Sequence, residues 1–148
     1  MISQTAEYAL RAMVYLADAG GEPRTNAQIA KVTEVPGGYL AKIMQSLSRA
    51  RLVTSQRGLN GGFTLAKDAS ELTILEIVDV VDPIRRFPKC PLGIVSHGKT
   101  LCPLHSRLDE AAAMVEKAFG DTTLAELVEV PRQRKPLCRF PNVPNVTV

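Results

Sequence analysis

The chain has 148 residues, of which 45% are apolar and 22% charged, with a net charge of +3. That length suits one domain, or a small domain with an appended dimerisation element, and no stretch approaches the roughly 18 uninterrupted apolar residues of a membrane span. "MISQTAEYAL" lacks the basic-then-apolar pattern of a secretory signal, so the expectation is a cytoplasmic protein without a membrane partner. In a reducing compartment, three cysteines point to chemistry rather than to a disulfide scaffold. The charge is uneven. Residues 1–67 carry eight Lys and Arg against four Asp and Glu, residues 68–130 carry six against eleven, and residues 131–148 carry four against none. A basic first half favours a polyanionic partner.

In chain order, "SQTAEYALRAMVYLADAGG" places Ala6, Ala9, Leu10, Met13, Val14 and Ala17 at helical spacing and stops at Gly20-Gly21. "TNAQIAKVTEV" opens a short second helix with a Thr25–Gln28 capping box and turns Ile29, Ala30 and Val32 inward. After Pro36-Gly37-Gly38, "YLAKIMQSLSRARLV" forms a third helix. Its apolar stripe is Leu40, Ile43, Met44, Leu47 and Ala50, and Tyr39, Lys42, Gln45, Ser46 and Arg49 lie largely on the other side. "LVTSQRGLNGGFTLAKD" alternates on both sides of a glycine-rich turn, Gly58 to Gly62, which is a hairpin signal. Three helices and a hairpin make a winged helix-turn-helix, so the expected fold is mainly α with a small β-hairpin wing.

Beyond this head, residues 1–67, a connecting helix is expected within 68–83, with Thr73 and Glu76 as a second capping box and Pro83 as its stop. Residues 84–101 form a cysteine-containing loop. From Pro103, Leu104, Leu108, Ala111, Ala112, Val115 and Phe119 make one face of a long helix that stops at Gly120. With few other elements to cover it, that face invites a second copy of itself, so 102–130 are assigned to dimerisation helices. Residues 131–148 read as an extended or mobile basic tail.

In helix-turn-helix proteins the second helix of the pair enters the major groove and its N-terminal residues reach base edges. Gly37 and Gly38 allow close backbone approach to phosphates, Tyr39 and Lys42 suit phosphate or base contact, Gln45 suits a base edge, and Arg49 extends the basic face. Thr25 and Gln28 at the start of the preceding helix join this candidate surface. Arg57 beside the wing tip suits a minor groove, whose negative potential attracts guanidinium groups. Asn60 and Gly61 complete the tip as turn formers or backbone contacts. The expected partner is double-stranded DNA.

The segments "EYALRAMVYLA", "IAKVTEVPGGYLAKIMQSLSRARLV", "RGLNGGFTLAKD" and "LTILEIVDVVD", in that order, resemble the Rrf-two family of winged-helix transcription regulators, the IscR, NsrR and RirA type. The resemblance covers about Met1 to Val128, and the Arg-Gly-x-x-Gly-Gly-Phe wing is its most specific part. It implies a homodimer on a roughly palindromic operator, most often acting as a repressor. It also implies an iron-sulfur cluster, of the 2Fe-2S kind, on cysteines just before the long helix, where Cys90 and Cys102 lie. The familiar pattern has three closely spaced cysteines, whereas this chain has two there. His105, His97, Cys138 or, from the first helix of the other subunit, Glu7 of the partner subunit are the candidates to complete a ligand set.

The residues themselves leave the chemistry of "CPLGIVSHGKTLCPLH" open. Cys102 precedes Pro103, a favoured first helical residue, which puts its sulfur at the positive end of the helix and favours the thiolate. His105 lies one turn further on. Thiolates with imidazole suit an iron-sulfur cluster, zinc, or a metal-free thiol switch, and inert packing is the remaining reading. An enzyme is not expected, because no serine-histidine-acid set, paired acidic motif or phosphate-binding glycine loop is present. A winged helix used for protein contacts is the remaining rival class.

Overall fold

A cap, a run of small residues and two glycines define the first helix. In the structure, a computed structural model that describes residues 2–93 and 100–129, α1 spans Gln4–Asp18. The Ser3 hydroxyl accepts from the Ala6 amide at its start, and Gly20 and Gly21 take positive φ just past its end. Ala6, Ala9, Ala12, Met13, Val14 and Leu16 are all buried, because α1 is packed on several sides at once, by α2 (Asn26–Thr33), α3 (Gly37–Arg49) and the helices that follow the wing. The buried face is therefore wider than a single stripe: it adds Ala12 and Leu16, while Leu10 and Ala17 are only half-buried.

The Thr25–Gln28 capping box is complete, with the Thr25 hydroxyl accepting from the Gln28 amide and the Gln28 side chain accepting from the Thr25 amide. Ile29 faces inward as expected, but Val32 is only half-buried and Thr33 is the buried neighbour. Thr33 tolerates burial because its hydroxyl donates to the Ile29 carbonyl at 2.7 Å, and its own carbonyl accepts from Arg11 of α1. Glu34 then turns the chain with φ of 57°. On α3, Leu40, Ile43, Met44 and Leu47 are buried, whereas Ala50 is exposed because the helix has already ended there and Ala50 serves as its C-cap.

The wing pairs β1 (Val53–Gln56) with β2 (Gly62–Leu65) in antiparallel register, Val53 opposite Leu65 and Gln56 opposite Gly62. Arg24, just before α2, exchanges two backbone hydrogen bonds with Phe63 and so ties the wing to the helix pair. That bridge explains Gly62. A Cβ there would lie 2.6 Å from the Arg24 backbone.

Further on, α4 (Ile74–Val81) begins at a complete Thr73–Glu76 capping box and buries Ile77 and Val78 against α1. The same backbone hydrogen bond to the Glu76 side chain holds its carboxyl below the usual range, with the Lys67 ion pair adding to the effect. The long helix α5 (Pro103–Gly120) has no buried residue, and Leu104, Leu108 and Met114 are 63%, 45% and 69% exposed. It includes Gly120 and ends at Asp121 in ordinary right-handed geometry, so the glycine does not act as the stop. Finally α6 (Leu124–Val128) returns to α1 and plugs the core with Leu124. No helix among the described residues is long and apolar enough to cross a membrane.

Candidate nucleic-acid surface and thiol-imidazole cluster

The outer face of α3 is presented by packing on three sides. Its inner stripe sits in the core with Met13, Leu16, Ile29 and Leu52, which leaves Lys42, Gln45 and Arg49 exposed with Gly37 and Gly38 at the helix start. Asn26 donates from its side chain to the Gly37 carbonyl at 3.1 Å and so fixes the start of α3 against the start of α2. Tyr39 is 43% exposed, with its hydroxyl 2.6 Å from that of Thr5 and its ring edge-on to Tyr8. The hydroxyl end of Tyr39 is thus held by α1 while part of the side chain stays exposed. Thr25 and Gln28 are exposed but use their side chains on each other, which satisfies helix-end groups before any ligand is considered. On the wing, Arg57 and Asn60 are exposed, and Gly61 is fixed by geometry, since a Cβ would lie 2.5 Å from the Gln56 carbonyl oxygen.

The second centre forms where the linker meets the start of α5. Cys102 is the N-cap of α5, Pro103 its first residue, and His105 the next inward-turned side chain. The His105 Nδ1 lies 3.1 Å from the Cys102 sulfur and 3.8 Å from the Cys90 sulfur, and the three donor atoms all fall within 4.8 Å of one another. Cys90 is buried, Cys102 half-buried, and neither is in a disulfide. A clasp upstream brings Cys90 in. Arg86 donates twice to the Asp109 carboxylate, at 2.8 and 2.7 Å, and once to Glu116, while the Phe87 amide donates to Asp109. The Phe87 ring then lies 5.2 Å from the His105 ring. Hydrogen bonds from Arg86, and then from the Phe87 amide, draw the Asp109 carboxyl down to about 2, and the two carboxylates push the Arg86 guanidinium up.

With this geometry in view, residues 2–130 match the family model for Rrf2, described as an iron-dependent transcriptional regulator. This chain belongs to the Rrf2 family. An HTH-type transcriptional regulator of Aquifex aeolicus (strain VF5) is 31% identical over 133 residues, spanning 88% of this chain and 92% of that one. Among solved structures, CymR, the global cysteine regulator of B. subtilis, is similar with a TM-score of 0.70 and 25% identity, covering 86% of this chain and 95% of its own. The oxidised form of Staphylococcus aureus CymR is similar at the same score and 26% identity, over 88% and 98% of the two chains. IscR of T. potens shares the fold at 24% identity and a TM-score of 0.70, over 86% and 85%. This Rrf2 protein is accordingly a DNA-binding transcriptional regulator with a winged-helix fold.

For the expected ligands, the structure brings Cys90, Cys102 and His105 of this Rrf2 chain together; Glu7 is expected from the partner subunit, and within the chain it forms an ion pair with Arg11 at 2.7 Å. His97 and Cys138 lie outside the described residues. A 2Fe-2S cluster is held by four protein donors shared between two irons. Three donors are gathered here within 4.8 Å of one another, so a cluster needs a further donor from beyond this group. Sequence reasoning missed the Arg86, Phe87 and Asp109 clasp, for which no local signal exists. Leu59 is fully exposed at the wing tip.

Proposed function

We propose that this Rrf2 regulator is a homodimeric repressor that binds a roughly palindromic operator and takes its signal at Cys90, Cys102 and His105. The observation that carries the sensing role is the gathering of two thiols and an imidazole within 4.8 Å at the joint between the head and α5. Residues 1–67 would bind DNA, 68–83 connect, 84–101 sense, 102–130 pair the subunits, and 131–148 form a basic tail. In the DNA complex α3 occupies the major groove through Gly37, Gly38, Tyr39, Lys42, Gln45 and Arg49. The wing meets the flanking minor groove through Arg57, Asn60 and Gly61, and Thr25 and Gln28 sit at the phosphate edge.

Dimerisation is supported by α5, on which no residue is buried and Leu104, Leu108 and Met114 are exposed. Leu108, Ala111, Ala112 and Val115 line a cleft of about 540 Å³ with Ile2 and Val78, a surface that a second copy of α5 would fill. Any change in bonding at the triad acts on the linker that joins the head to α5. That resets the separation of the two recognition helices and with it operator affinity. Both an iron-sulfur cluster completed by a further donor and reversible thiol oxidation are forms of this sensing. The oxidised CymR structure is that of a similar chain.

The test is fluorescence anisotropy on duplexes enriched from genomic DNA by the protein itself, with subunit mass measured in parallel. Affinity should fall steeply with salt, and Lys42→Ala, Tyr39→Ala and Arg57→Ala should each weaken binding with the dimer intact. A Cys90→Ser/Cys102→Ser double variant should bind DNA with an affinity that no longer responds to metal chelation or oxidant. Unchanged affinity in the three surface variants would overturn the DNA surface, and an unchanged response in the double variant would overturn the sensing role.

A further inference from the structure

Zinc holds cysteine sulfur at ~2.3 Å and histidine nitrogen at ~2.0 Å, so donors on one tetrahedral ion lie roughly 3.5–3.8 Å apart. The Sγ–Nδ1 separations of 3.1 and 3.8 Å bracket that range, and the two sulfurs lie within 4.8 Å of each other. Donors on opposite irons of a cluster stand farther apart than donors on one ion, because the two metals and their bridging sulfides intervene. We infer that Cys90, Cys102 and His105 form a mononuclear Cys2His site for a divalent ion of the zinc class, with no fourth protein donor at the site among the described residues.

Three further observations support this assignment. The imidazole turns the same nitrogen, Nδ1, toward both sulfurs, which is the arrangement that one shared ion requires. Two thiolates and one neutral imidazole are a donor set that zinc takes in tetrahedral sites, and the two thiolates balance its charge. The Arg86–Asp109 clasp and the Phe87 ring hold the linker side in place, so the donors are gathered before any ion arrives. Binding releases the two thiol protons as two sulfur–metal bonds and one nitrogen–metal bond form, with no change of oxidation state. The ion's regulatory meaning rests on the sensing role proposed above, whereas its binding does not.

Cobalt(II) reports on such a site, since tetrahedral cobalt has intense visible d–d bands and a near-ultraviolet thiolate-to-cobalt charge-transfer band that grows with the number of sulfurs. The full-length protein, purified without oxygen and assayed first for metals and sulfide, is stripped with chelator and titrated with cobalt. The expected result is saturation at one cobalt per chain, displacement by zinc, and about half the charge-transfer intensity in Cys90→Ser or Cys102→Ser. His105→Ala, at a half-buried position of a helix that has no buried residue, should keep the fold and weaken cobalt binding by about tenfold or more, which covers the case in which a buried Cys90 variant fails to fold. Matching amounts of iron and sulfide in the purified protein would overturn the single-ion site while leaving the sensing role standing. Octahedral cobalt spectra, or equal binding in all variants, would overturn it as well. Tight cobalt binding with operator affinity indifferent to metal would instead uphold the ion and end its sensing role.

Discussion

The helical head and the linker–α5 region solve opposite problems with the same chemistry. In the head each element is closed by its neighbours: α1 is buried on several sides, the α2 start is capped, the Thr33 hydroxyl and carbonyl are satisfied, and the wing is bridged by Arg24. In the linker–α5 region no residue of the helix is buried, Leu104, Leu108 and Met114 are exposed, and the linker is fastened by a few polar contacts centred on Asp109. A reader of DNA needs recognition residues at fixed separations, which a continuous core supplies. A joint that answers to a ligand needs contacts few enough for one binding event to rearrange them. The contrast implies that truncating a side chain harms the head through its core and harms α5 through its assembly.

The largest effect should come from Leu47→Ala, since Leu47 is fully buried among Met44, Leu40 and Met13. Loss of such a leucine costs about 2–5 kcal/mol, which urea unfolding would register as a lower midpoint at unchanged slope. Leu108→Glu should do the converse. Far-ultraviolet circular dichroism would stay as in the parent chain, while sedimentation would report monomer and operator affinity would collapse with the lost two-fold pairing. A destabilised head in Leu108→Glu, or an intact dimer, would erase the distinction between the two regions.

The same contrast decides what could be read from sequence. Head features announce themselves locally: Gly20-Gly21 end α1, the Thr25–Gln28 and Thr73–Glu76 pairs start α2 and α4, and alternation around "GLNGG" gives the wing. Errors there arose where periodicity runs past a helix end, as at Ala50, or where burial on several sides widens a stripe, as at Ala12 and Leu16. Two of the three residues of the thiol-imidazole cluster were also legible, because Cys102 and His105 sit three residues apart at a helix start that Pro103 marks. Cys90 was not placed by any such pattern. Its position depends on Arg86 meeting Asp109 across 23 residues of chain, and pairings of that reach leave no trace in spacing. Gly62 lies between these cases, readable as a turn glycine, although its reason is the Arg24 backbone 38 residues earlier.

Asp109 offers a way to loosen the joint without touching the donors. Its carboxyl is held down to about 2, first by hydrogen bonds from Arg86 and then by the Phe87 amide. The folded value lies below the ordinary aspartate value of about 3.9, so the clasp's contribution is fully present above that pH and is lost as pH falls through about 2. The Phe87 amide resonance should therefore move only below about pH 4. In Asp109→Asn that titration should vanish, and cobalt affinity should drop several-fold at neutral pH while unfolding of the head is unchanged. Cobalt affinity equal to that of the parent chain would show that the clasp does not position Cys90.

The smallest effect sharpens the head's side of the comparison. Thr25→Ala removes one half of a complete capping box and should lower stability by about 1 kcal/mol. Thr25 also stands in the proposed DNA surface, so two roles compete for one hydroxyl. Measured at a temperature where parent and variant are both fully folded, a cap alone predicts unchanged operator affinity, because the α2 backbone is also tied down by Asn26 on Gly37 and by Arg24 on Phe63. A phosphate contact predicts weaker binding and a shallower salt dependence on top of the stability loss. Since the hydroxyl already accepts from the Gln28 amide, it reaches a phosphate only by donating its proton, and Thr25→Ser, which keeps both functions, should restore both readouts.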